Sequence, residues 1–146
     1  MYTKLKRHNL AVQMIHLRRH FPESSCTVRR SVLRWRGVVR PSPLSGEYTL
    51  SLTYKLKDSP KVRVVHPALQ HREGSRPPHM YTHDQLCLYL PGAMEWDGTM
   101  LLATMIVPWA SEWLLHYEVW VATGEWCGGG VHPRTKSDEG EVGDAA

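Results

Sequence analysis

The chain has 146 residues, enough for one domain with a full core, and its 3 cysteines lack the paired spacing of a disulfide framework, so a reduced, cytoplasmic protein is expected. The longest apolar stretch, residues 100–110, contains Thr104 and Pro108 and is too short to span a bilayer; no apolar run follows the basic N-terminus as in a secretory signal. Net charge is +4 and uneven, with Glu23 the only acid in the first forty residues beside Arg18, Arg19, Arg29, Arg30, Arg34, Arg36 and Arg40, which suits an acidic partner or nucleic acid, or else a plain solvated helix and strand face.

In chain order, residues 3–20 read as an amphipathic helix. Leu10, Met14, Leu17 and Phe21 recur at helical spacing, with Ala11 and Ile15 beside them. Thr3 is a plausible N-cap, and Phe21-Pro22 ends the element. Residues 22–27 read as a turn. From 28 to 39 the period becomes two, with Leu33, Trp35 and Val39 on one face and Arg30, Arg34 and Arg36 on the other. A Pro/Ser/Gly turn spans 40–46. Tyr48, Leu50, Leu52, Tyr54 and Leu56 then alternate with polar residues as a second strand, and residues 61–65 form a third. The short connections imply an antiparallel meander whose apolar face needs helices to cover it, hence an α+β fold.

His66-Pro67 ends the third strand, and residues 68–85 form a loop long enough to suggest a function. The run Leu86-Cys87-Leu88-Tyr89-Leu90-Pro91 alternates as a half-buried strand should. With the leucines inward, Cys87 and Tyr89 face outward. Residues 100–107 are ambiguous, and Pro108 disfavours helix at Val107. Pro108 then opens a helix to about residue 123, with Trp109, Trp113, Tyr117, Trp120 and Val121 on its apolar face and Gly124 as terminator. Residues 1–134 are expected to be one domain, and 135–146 a disordered acidic tail.

An outward cysteine after a histidine-bearing loop can carry a reactive thiolate. Cys87 is the candidate nucleophile, with His83 the first choice of assisting histidine, His79 the second, and Tyr89 in a supporting position. A rival reading has His79, His83 and Cys87, with His66, binding zinc. Four-residue spacing on a loop entering a strand does not put these side chains on one face, so no metal is expected. Cys26 and Cys127 lack local support. No base-reading module is present, so nucleic acid is not an expected partner.

The order helix, meander, His66-Pro67, long loop, Leu86-Cys87-Leu88, Trp96, helix resembles the ubiquitin-conjugating enzyme family over roughly residues 3–123. Ala68 stands where that family has an asparagine, so no side-chain amide is available there to support an oxyanion. The segment Val107-Pro108-Trp109-Ala110-Ser111-Glu112-Trp113-Leu114, with Tyr117-Glu118 and Thr123-Gly124-Glu125-Trp126, is similar to bacterial conjugating-enzyme relatives of CBASS antiphage operons. The resemblance implies a ubiquitin-conjugating-like fold and a thioester at Cys87, with His66 holding the loop by hydrogen bonding. It also implies, as partner, the C-terminal tail of a cGAS-like nucleotidyltransferase. No cofactor and no membrane are expected; no activating domain fits in this length, so any ATP-dependent activation of the tail is expected to come from another chain or to be absent. The alternatives are a catalytically silent partner-binding domain of the same fold and the zinc protein.

Overall fold

The computed structural model describes residues 5–88 and 96–127. Helix α1 (Leu10–His20) begins later than the sequence pattern predicts. Asn9 caps it, its side-chain oxygen accepting the Val12 N–H at 2.9 Å, and a cap of this strength fixes the first turn. Thr3, the expected cap, lies outside the described residues. Leu10 and Leu17 are buried as expected, whereas Ile15 is exposed and Gln13 is fully buried in its place.

Among the described residues the sheet has four strands, not three. β1 (Ser25–Arg29), β2 (Val32–Val39), β3 (Tyr48–Tyr54) and β4 (Lys61–His66) form an antiparallel meander in the order β1-β2-β3-β4. The expected turn at 22–27 therefore ends in a strand, and the expected single strand over 28–39 is broken by a hairpin. Its two turn residues, Arg30 and Ser31, both have positive φ (51° and 60°). That is the geometry of a tight turn whose twist matches the flanking strands.

One face of the sheet carries Leu33, Trp35, Leu50, Leu52, Tyr54 and Val62, all almost fully buried. Gly37 shares it because the Trp35 ring fills the space above: a Cβ there would lie 2.2 Å from that ring. The Trp35 indole N–H donates to Ser24 Oγ at 2.8 Å, so the buried tryptophan keeps its polar atom paired. Leu56, expected in the apolar row, lies beyond β3 and is exposed.

Helix α2 (Val107–Thr123) covers this face together with α1 and a π-helical turn at Leu102–Ile106. The turn resolves the expected break before Pro108. The Val107 N–H reaches back to the Leu102 carbonyl, and the chain passes into α2 with Pro108 in the first turn, where a missing N–H costs least. Gln13 ties α1 to this turn. Its amide nitrogen donates to the Met100 carbonyl at 2.8 Å, and its oxygen accepts the Leu102 N–H at 2.9 Å. Trp113, Tyr117 and Trp120 are buried as the spacing predicts, and Gly124 ends α2 in the left-handed conformation (φ 83°). Among the described residues no helix is long and apolar enough to cross a membrane.

Candidate active site

The loop after β4 is sewn to one stripe of α2. The Gln70 N–H donates to the Tyr117 hydroxyl at 2.7 Å, the Arg72 guanidinium to the Val121 carbonyl at 2.9 Å, and the Trp113 indole N–H to the His79 carbonyl at 3.0 Å. Residues 113, 117 and 121 are successive i, i+4 neighbours, so a single helix face holds the whole loop. Sequence periodicity marks this face as apolar; the polar tips of Trp113 and Tyr117 give it the second task.

From His79 the chain folds back on itself. Met80 and Leu86 form an antiparallel bridge, the Tyr81 N–H donates to the Gln85 carbonyl at 2.7 Å, and the Cys87 N–H donates to the His79 carbonyl at 2.9 Å. Thr82–Asp84 form the tip as a 3-10 turn. The His79 carbonyl thus receives two donors, the Cys87 amide and the Trp113 indole. Leu86 is fixed from the other side, its N–H donating to the Val62 carbonyl of β4 at 2.9 Å.

This geometry corrects the expected outward-facing strand. Leu86 and Cys87 are both buried, Cys87 only 8% exposed, because the segment is bonded to the edge of the sheet on one side and, through His79, to α2 on the other. Tyr89 and the rest of that run, 89–95, lie outside the described residues.

The two candidate histidines separate. His79 stands opposite Cys87 across the hairpin, its ring 5.2 Å from that of Trp126, which in turn packs 5.2 Å from Trp113. His83 sits at the exposed tip, where its carbonyl accepts from Arg63 Nε at 2.8 Å and Arg76 pairs with neighbouring Asp84 at 3.4 Å. His79, His83 and Asp84 all have positive φ (56°, 60° and 60°), a concentration of backbone strain in one hairpin.

His66 is the exposed last residue of β4. Its side chain makes no hydrogen bond to the described residues, so the loop is held from α2 rather than by the expected His66 contact. Ala68 is exposed. Trp96 packs edge-on against Tyr54, ring centroids 5.5 Å apart. His79, His83, Cys87 and His66 do not assemble a metal site: among the described residues no three His, Cys, Asp or Glu side chains could hold an ion. Of the other thiols, Cys127 is exposed and Cys26 buried. Burial pushes the Cys26 thiol up from its ordinary pKa, and Arg18 offsets part of the rise.

A family model described as E2-CBASS, type II CBASS E2 protein, matches residues 13–133. No curated protein matches the chain. The match covers most of the sequence, from α1 through the Cys87 hairpin and α2, and the chain belongs to that family: it is a CBASS-associated, E2-like protein.

Proposed function

We propose that this CBASS E2 protein is a ubiquitin-conjugating-type acyl transferase that carries its partner's C-terminal acyl group on Cys87. The observation that carries the reading is the hairpin in which Cys87 is pinned to His79 and His79 to Trp113. Family membership and the element order support a ubiquitin-conjugating-like fold, as does Trp96 seated on Tyr54.

The chemistry runs in two balanced steps. The Cys87 sulfur attacks the activated carbonyl carbon of the tail, a C–S bond forms, and the bond to the leaving group breaks with its electron pair. The thiol proton passes to His79 or to solvent. An amine then attacks the thioester, a C–N bond forms, the C–S bond breaks and the thiol is restored. His79 is the better placed assistant, since the hairpin sets it opposite Cys87 while His83 occupies the tip. The strain held at His79, His83 and Asp84 supports a working hairpin, because such conformations persist where the surroundings over-determine them.

The partner in this reading is the C-terminal tail of the cGAS-like nucleotidyltransferase of the same defence system. A separate enzyme activates that tail.

The near-complete burial of Cys87 favours one other reading, a silent domain of the same fold that binds the nucleotidyltransferase without chemistry. Co-expression with the nucleotidyltransferase and any activating enzyme of the operon separates the two. The acyl transferase gives a covalent species on a non-reducing gel that excess thiol collapses and Cys87→Ala abolishes, while Cys26→Ala and Cys127→Ala leave it intact. A stable complex with no such species in any arm supports the silent domain.

A further inference from the structure

The outer face of the sheet carries a regular pattern that the thioester chemistry does not use. Strand register places Thr27, Arg34, Thr53 and Lys61 in one row across β1, β2, β3 and β4, and Ser25, Arg36, Ser51 and Arg63 in the next. Each row alternates hydroxyl, cation, hydroxyl, cation. Cations within a row are two strands apart, about 10 Å, so like charges are spread while every cation has a hydroxyl on either side or at the sheet edge. Arg29 and Arg30 extend the array, and with Val32 and Arg34 they line an open groove of about 650 Å³.

The strands contribute no carboxylate to this face. Glu23 and Asp58 lie in the flanking loop and turn, and Glu47 is paired with Arg40 at 3.5 Å. Among the described residues none of Arg29, Arg30, Arg34, Arg36, Lys61 or Arg63 forms an ion pair with a carboxylate. Arg63 uses its Nε on the His83 carbonyl.

We infer that this face binds the phosphate backbone of a nucleic-acid duplex without regard to sequence. Guanidinium, ammonium and hydroxyl donors are the groups that contact phosphate oxygens, and the pI near 9.1 with cations gathered on one face is the expected electrostatic footprint. A protein partner fits less well. Protein interfaces have an apolar, aromatic-rich centre, whereas the exposed apolar residues of this face are Val38 and Val65 toward one end. A single strand also fits less well, because the sheet's aromatics Trp35, Tyr48 and Tyr54 are buried on the opposite face and none is offered for base stacking. The sequence lacks a base-reading module; the folded sheet supplies a backbone-reading surface from residues that are distant in the chain.

The test is fluorescence anisotropy of the full chain with a labelled DNA duplex of arbitrary sequence, across a salt series. The expected result is binding that weakens linearly in log–log form with salt, at about 0.9 of a slope unit per phosphate contacted. The double variant Arg34→Gln/Arg36→Gln should weaken binding roughly tenfold or more at low salt and reduce the slope by about two. Lys61→Gln/Arg63→Gln, on another strand, should do the same if the first pair disturbs the sheet. Lys6→Gln/Arg19→Gln, with equal loss of charge off this face, should leave binding near wild type, and so should Cys87→Ala, which keeps this inference separate from the thioester reading. Three results overturn it: no duplex binding by the wild type, equal weakening by the off-face pair, or displacement of the duplex by polyglutamate at matched charge, which would assign the face to an acidic protein instead.

Discussion

Tyr48 reaches from β3 to α2, where its hydroxyl donates to Glu118 Oε2 at 3.0 Å while Ser45 Oγ donates to Oε1 at 2.5 Å. Burial, then the hydrogen bond and charge of Glu118, hold the Tyr48 hydroxyl well above its ordinary pKa. The folded protein therefore keeps this proton to higher pH than the unfolded chain does. Above a pH of about 10, the ordinary tyrosine value, the native state binds more protons than the unfolded state and stability falls as pH rises. Tyr48→Phe should flatten that alkaline fall, and at neutral pH should lose roughly 1.5–3 kcal/mol, the range for a hydrogen bond to a charged group. Urea titrations at neutral and alkaline pH measure both. The cysteines give a second residue-scale expectation. Exposed Cys127 should alkylate first near neutral pH, and Cys26, buried with a raised pKa, should lag behind it. Peptide mapping of a timed alkylation reads the order, and Cys26 reacting as fast as Cys127 would contradict the packing at β1.

At the scale of elements, α2 does two jobs with one stripe. Trp113 stacks on Tyr117, ring planes 9° apart, and donates its indole N–H to the His79 carbonyl. Trp113→Ala should cost roughly 3–5 kcal/mol in chemical denaturation, as truncation of a buried aromatic does. Trp113→Phe keeps most of the packing and removes the donor, so it should cost only about 1 kcal/mol while changing the alkylation rate of Cys87. Gln13→Leu should cost about 1–3 kcal/mol by stranding the Met100 carbonyl and the Leu102 N–H.

The apolar face of α2 and strands β3 and β4 were legible because their periodicity agrees with their burial. The β1–β2 hairpin was harder to read, since neither Arg30 nor Ser31 is a turn-forming glycine or asparagine. A sign of it exists: Cys26 is buried at an even position and Leu33 and Trp35 at odd ones, and one continuous strand cannot change parity. The depth of Cys87 was not legible. Alternation assigns Leu86 and Cys87 to opposite faces, but only the tertiary contacts to Val62 and, through His79, to Trp113 reveal that both faces are covered.

For the whole molecule, the helices lie over one face of the sheet, with the Cys87 hairpin held between β4 and α2, and the arginine-rich face is opposite. Chemistry and backbone binding would thus meet only at Arg63, whose Nε holds the His83 carbonyl, and loss of Arg34 and Arg36 on β2 should leave the chemistry intact. In the proposed function Cys87 becomes acylated by the tail of the nucleotidyltransferase. Intact mass spectrometry of the co-expressed proteins under non-reducing conditions reads that acylation. The expected result is a species at the summed mass of the two chains less one water, mapped to Cys87, absent in Cys87→Ala and lost on adding thiol at mildly alkaline pH. A linked species that persists in Cys87→Ala, or one that maps to Cys26 or Cys127, would contradict the assignment.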